Sequence, residues 1–282
     1  AAGIKELPKT WTELRNTAQK LTKDGQKGIL LPLGKGEWTV FTWLPFMWSG
    51  GGELTRESQV SKMREQSLVP LQVQDGEGEL TTAKDVRVDN SGAVAALQFW
   101  QDLIQDGSAV LSSPERGFEL DSFLAGKVAM QLTGPWTLGQ LQRTKIDFGV
   151  MPIPIAQRAA TSTGGENLFI MKTSAARQVA AWQFAEYVLS EDFQTDWALG
   201  TGYLPVNLKA RQNPRYQEFV KQQPAVQVFL NQAASGRSRP IFSGYSRISD
   251  SLGRAIETVL LGKSTPAAAL KEAQQRLDLI FD

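Results

Sequence analysis

Histidine and cysteine are both missing from the 282 residues of this chain, and each absence closes a branch of chemistry. Without histidine there is no Ser-His-Asp or Cys-His nucleophile, and the commonest zinc ligand is gone. Without cysteine there are no disulfides, no thiol catalysis and no iron–sulfur ligation. The compartment stays open, because exported proteins also manage without disulfides. Charge of one sign is lacking too: 30 Lys+Arg against 29 Asp+Glu leave a net +1, so no footprint for nucleic acid appears. No apolar run approaches the ~18 residues of a membrane span, and the first residues do not read as a signal peptide. Gly34-Lys35-Gly36 and Gly50-Gly51-Gly52 have neither the Gly-Lys-Ser/Thr ending nor the G-x-G-x-x-G spacing, which argues against a nucleotide. No metal or cofactor is expected, and the carboxylates show no paired catalytic arrangement.

What is present points to an α/β chain, long enough for one large domain or two lobes. Hydrophobic residues make up 41%, and eight are tryptophan. Thr10 with Glu13 forms a capping box ahead of the stripe Leu14, Ala18 and Leu21, and Gly25 ends that helix. Ile29–Leu33 reads as a buried strand, and Trp38–Ser49 as a bulky apolar helix stopped by three glycines. Residues 53–90 are polar, with a hairpin turning at Asp75–Gly78. Ser91 is placed to cap a helix running to Gly107. In Leu124–Trp136, alternating Val128, Met130 and Leu132 suit a strand that meets the breaker pair Gly134-Pro135. Trp136 then stands at a strand–helix junction, where open α/β sheets place their ligand crevice; a buried ring closing a core is the alternative.

Phe148–Ile155 is kept extended by its prolines, and 161–167 is a loop leading into a short strand, Leu168–Met171. Helices are expected at Ser174–Leu189 and Glu191–Leu199, and a turn at Gly200–Pro205. The rest reads as helix near 208–235, 246–261 and 266–281.

These landmarks, in this order, resemble the extracellular solute-binding proteins of bacterial ABC importers, the maltose-binding-protein-like, sugar-binding group. The matching pieces are PKTWTEL (8–14), GGEL (51–54), AGKVAMQLTGPW (125–136), FGVMPIP (148–154), GGENLFIMK (164–172), GTGYLPVN (200–207), Arg239-Pro240, Tyr245 and VLLGKSTPAAALKEAQQRL (259–277). The resemblance runs along nearly the whole chain and explains 55–90 least. It implies a periplasmic-binding-protein-like fold of type II, whose two lobes close on a ligand and hand it to a permease. The expected division is 1–157 and 204–282 in the carboxyl-terminal lobe, with 158–203 returning to the amino-terminal lobe. A large part of that second lobe is then expected to lie ahead of Ala1. The sequence supports this separately: one short strand and two helices in 161–203 make no sheet of their own.

The same resemblance supplies the candidate site. Trp136 matches the ring-stacking position, and Trp38 and Phe41 a second lining region. Gly165, Glu166 and Asn167 match a loop that approaches ligand, although a solvated loop glutamate is the alternative for Glu166. Tyr203 and Tyr245 match positions near the cleft. Arg239 either forks onto ligand hydroxyls or an anion, or makes a structural ion pair. Trp136, Trp38 and Phe41 are expected on one wall, and 165–167 on the other. The function so implied is carbohydrate binding without chemistry, in the periplasm or outside the cell, at the membrane through the permease. Partners would be a small carbohydrate and the permease subunits, with the missing lobe or self-association covering exposed apolar surface. Alternatives are a polyol, glycerophosphodiester or peptide ligand, a glycoside hydrolase, which needs two flanking carboxylates, or a fragment serving only as an interaction module.

Overall fold

A computed structural model describes residues 3–34, 36–55, 86–113, 119–240 and 244–281. The elements follow in order: α1 (Trp11–Leu21), β1 (Ile29–Leu31), α2 (Glu37–Ser49), α3 (Ser91–Gln105), β2 (Ala109–Leu111), α4 (Glu119–Leu124), a 3-10 turn (Pro135–Thr137) and α5 (Leu138–Leu141). Then come β3 (Thr161–Ser162), α6 (Ala175–Val188), α7 (Glu191–Thr201), α8 (Leu208–Gln212), α9 (Pro214–Gln222), α10 (Pro224–Ala233), β4 (Gly236–Arg237), α11 (Tyr245–Leu260) and α12 (Pro266–Phe281). The chain divides into two units. The first holds 1–132, 153–162 and 237–282; the second holds 133–152 and 163–236.

In the first unit β1 pairs in parallel with β2, Ile29 opposite Ala109 and Leu31 opposite Leu111. Parallel bridges also join Lys27, just before β1, to Val128 and Leu30 to Gln131, so the strand expected before Gly134 is realised only as isolated bridges. β3 and β4 form a second two-stranded sheet. The core lies where α2, α3, α11 and α12 pack together. Trp43, Leu44, Met47, Leu97, Trp100, Leu252 and Ile256 are fully enclosed there. Burial on this scale is worth ~1.5–3 kcal/mol per large apolar side chain, which is why so apolar a helix as α2 is stable.

Helix ends follow the sequence closely, with one shift. The capping box of α1 is made: Thr10 Oγ1 accepts from Glu13 N (3.2 Å), and Glu13 Oε2 accepts from Thr10 N (3.1 Å). The cap of α3 is Asn90 rather than Ser91. Asn90 Oδ1 accepts from Ala93 N at 2.9 Å, so Ser91 falls inside the first turn. Pro45 sits inside α2, where its ring blocks the usual bond to the Phe41 carbonyl. Ser162 Oγ donates to that carbonyl instead, at 2.7 Å.

The second unit has a smaller core of Leu138, Ala198, Tyr216, Val220 and Val226, against which Phe148, Val150, Leu204 and Phe229 pack. The helix expected near 208–235 is three helices. Pro214 and Pro224 each lack an N–H and each start a new helix at its first turn, so the run breaks before both. Those helices pack with α7, so the unit boundaries fall at 162/163 and 236/237 rather than at 157/158 and 203/204. Residues 168–171 form no strand: the backbone of 164–173 makes no backbone hydrogen bond among the described residues. The hairpin expected at 75–78 lies outside the described residues.

Candidate functional site

The candidate side chains fall into two groups, one on each unit. In the second unit, two glycines build an aromatic corner. A Cβ on Gly134 would lie 2.1 Å from the indole of Trp136, so only glycine lets that ring fold back over its own turn. Gly202 ends α7 with φ 85°, and a Cβ there would lie 2.8 Å from the Pro135 carbonyl oxygen. The Gly-Thr-Gly-Tyr turn therefore docks directly on the Gly-Pro-Trp turn, and the rings of Tyr203 and Trp136 stand 6.2 Å apart at 39°. Trp136 is half-buried. Burial, and the charge of Glu166 nearby, push the Tyr203 phenol above its ordinary pKa, so it stays a neutral donor. Gly165, Glu166 and Asn167 are exposed on their loop.

In the first unit the group gathers at the start of α2. Trp38 and Phe41 are half-buried, with ring centroids 6.1 Å apart and nearly parallel at 18°. Arg239 lays its guanidinium 5.1 Å over the Phe41 ring. Glu37 is the hub: its carboxylate takes Arg239 as an ion pair, and accepts hydrogen bonds from Ser249 Oγ and, at 3.2 Å, from Tyr245 Oη. Burial first, then the Glu37 charge, hold Tyr245 far above the usual phenol range, so it too only donates. Arg239 thus makes the structural ion pair that was one of its two readings.

Sequence reasoning missed Glu37 and Ser249. The signal for Glu37 was an acidic residue opening an aromatic helix in a chain whose Arg239 needed a partner. Trp136 shares its unit with 165–167, not with Trp38 and Phe41, so the expected assignment of walls does not match the units. The cause is the glycine-mediated docking of residues 134–136 on residues 202–203. Among the described residues no three acidic side chains gather to hold a metal ion. Glu37 is paired with an arginine and gathers hydrogen bonds beside the stacked rings.

A family model for the bacterial extracellular solute-binding proteins matches residues 3–227. The chain belongs to that family. A putative binding protein of Brucella abortus (strain 2308) is 26% identical over 286 residues, covering 99% of this chain and 62% of the relative. The sn-glycerol-3-phosphate-binding periplasmic protein of Yersinia pseudotuberculosis is 26% identical over 172 residues, 56% of this chain and 39% of the relative. Among solved structures, the cyclic alpha-maltosyl-1,6-maltose binding protein from Arthrobacter globiformis superposes with a TM-score of 0.75 at 24% identity, over 99% of this chain and 66% of that one. The glycerophosphocholine complex of UgpB from Mycobacterium tuberculosis superposes with 0.78 at 20% identity, over 99% and 65%. The fold is therefore the periplasmic-binding-protein-like, two-lobe solute-binding fold. The chain spans about 62% of the length of the curated relatives that it matches along its whole extent. No described helix of this family member is long and apolar enough to cross a membrane.

Proposed function

We propose that the chain is the solute-binding component of an ABC importer, which captures a carbohydrate by lobe closure and delivers it to a membrane permease without altering it. The observation that carries this reading is the Trp136–Tyr203 corner with Glu166 beside it. Half-buried rings offer flat apolar faces to the C–H side of a sugar, while a carboxylate and a phenol supply an acceptor and a donor for its hydroxyls. Stacked Trp38 and Phe41 offer the same chemistry on the other unit. A phosphodiester would instead call for free guanidinium groups, and Arg239 is occupied by Glu37.

A second part of the reading concerns the face of the second unit formed by Leu168–Met171 and α6. Phe169 is 81% exposed and Met171 75%, and α6 buries no residue at all. Apolar side chains that alternate to both sides of an unpaired strand belong in the middle of an α/β sheet. The matched relatives extend well beyond the part that aligns here. We assign this face to α/β structure corresponding to that further part, the remainder of the amino-terminal lobe. The 282 residues by themselves are then a weakened binder.

The test is calorimetric titration with malto-oligosaccharides, and separately with glycerophosphocholine, of the chain alone and with the remaining lobe supplied. Sugar affinity that rises when the lobe is added, with the oligosaccharide recovered intact, supports the reading. Binding of the phosphodiester alone, or release of monosaccharide, overturns it.

A further inference from the structure

The Gly-Gly-Glu turn after α2 has no place in the candidate site, yet it is among the most tightly fitted pieces of the first unit. A Cβ on Gly52 would lie 2.4 Å from Asn90 Oδ1, and one on Gly92 would lie 2.1 Å from Gly52 N, so the turn sits directly on the start of α3. Asn90 Nδ2 donates to the Glu53 carbonyl at 2.8 Å and fixes the residue from behind. The Glu53 carboxylate is thereby aimed at two arginines. It pairs with Arg158, and it takes Arg237 through both oxygens, at 2.8 Å and 2.5 Å.

These arginines stand at special places along the chain. Residues 153–162 form the stretch from which the chain leaves the first unit, and Arg237 is the residue at which it returns. Each is held a second time. Arg158 Nε donates to the Trp48 carbonyl at 2.8 Å, and its own carbonyl accepts from Ser49 Oγ at 2.7 Å. Arg237 lies 5.1 Å over the ring of Trp48. Glu53 is thus the one carboxylate, among the described residues, that an outgoing and a returning segment share.

We propose that Glu53 is a positioning residue that clamps both of these segments to the end of α2 and so fixes where the chain pivots, confining flexing to 159–163 and 235–236. The clamp rests on the reading above that the protein captures its ligand by lobe closure. Bending is absorbed at a few residues beside an element terminus, and their place sets which motions are open. Two ion pairs on one carboxylate keep the two segments in fixed spacing. Loss of that carboxylate leaves the β3–β4 pairing to join the two segments and loosens their hold on the end of α2.

The chain has no cysteine, so a pair introduced at exposed Lys20 and Lys221 carries spin labels at those two places alone, one on each unit. Pulsed dipolar spectroscopy and amide hydrogen exchange are run on the ligand-free chain, so neither readout depends on which solute binds. In Glu53→Gln the distance distribution should broaden roughly twofold, and amides at 155–158 and 237–238 should exchange about tenfold faster while those of α11 and α12 hold. Arg158→Met should loosen only the first set and Arg237→Met only the second, which keeps the test intact even if Glu53→Gln folds poorly. Arg15→Gln, which breaks a pair with Asp102 and Asp106 elsewhere in the same unit, should leave both readouts alone. Unchanged width in Glu53→Gln, or the same effect from Arg15→Gln, overturns the clamp. A clamp that is measured in a chain that binds no carbohydrate even with the remaining lobe supplied overturns the ligand assignment only.

Discussion

Trp136 and Trp43 show how one residue type takes two roles. Trp43 is fully enclosed between helices, and its replacement by alanine should cost ~3–5 kcal/mol through lost burial and the cavity left. Trp136 stands half-buried on its glycine turn, so Trp136→Ala should cost less stability while lowering sugar affinity at least about tenfold, or ~1.4 kcal/mol of binding. Chemical denaturation beside titration separates the two. Asp106 gives a prediction in pH. Burial raises its pKa, but hydrogen bonds from Ser108, Arg15 and Gln19 outweigh that, and the carboxyl sits below its ordinary 3.8. Since the folded value is depressed, the stability contributed is full above 3.8 and is lost as pH falls through the lowered value. Asp106→Asn should therefore be the less stable protein at pH 7, with the gap closing below pH 3.8 in thermal melts.

Among the elements, caps were the most legible feature and strands the least. A cap is read from side chains within a few residues of one another, and Thr10 with Glu13 does what the spacing says. Asn90 displaced Ser91 because its longer amide serves three partners at once: it accepts from Ala93 N and donates to the carbonyls of Glu53 and Arg87. Thr10→Ala should cost about 1 kcal/mol, the worth of a cap. Asn90→Ala should cost more, because the Glu53 carbonyl also loses its donor, and urea melts of the two variants give the ranking. Residues 128–132 have strand-like alternation and 168–171 are a short apolar run, but a ladder depends on a neighbour distant in sequence. The first found β1 only through single bridges, and the second found no partner among the described residues.

At the scale of the whole molecule, the face made by Leu168–Met171 and α6 sets the behaviour of the isolated chain. Phe169, Met171, Val179, Trp182, Phe184 and Tyr187 are all more than half exposed, an apolar extent that soluble surfaces seldom carry uncovered. The chain should therefore self-associate in sedimentation velocity, and Phe169→Ser with Trp182→Ser should shift it toward monomer. A monomeric wild type at micromolar concentration would count against an unpartnered face. The same surface explains why α6 showed no amphipathic stripe: only Gln178, Ala181, Ala185 and Val188 on one face are partly covered, and its large apolar residues lie on the other sides.

By itself the sequence determined what depends on composition and on short spacing. It excluded thiol and imidazole chemistry, set most helix starts, and marked Gly134, Trp136, Gly202 and Tyr203 as landmarks in a recognisable order. Only the tertiary structure decided which distant residues meet. Glu37 finds Arg239 and Glu53 finds Arg237 across roughly two hundred positions of chain, and the helices of 208–233 side with α7 rather than with α11. The physical reason is that ion pairs, ring stacks and unit boundaries are settled by packing, where burial shared among many elements outweighs the preference of any one segment.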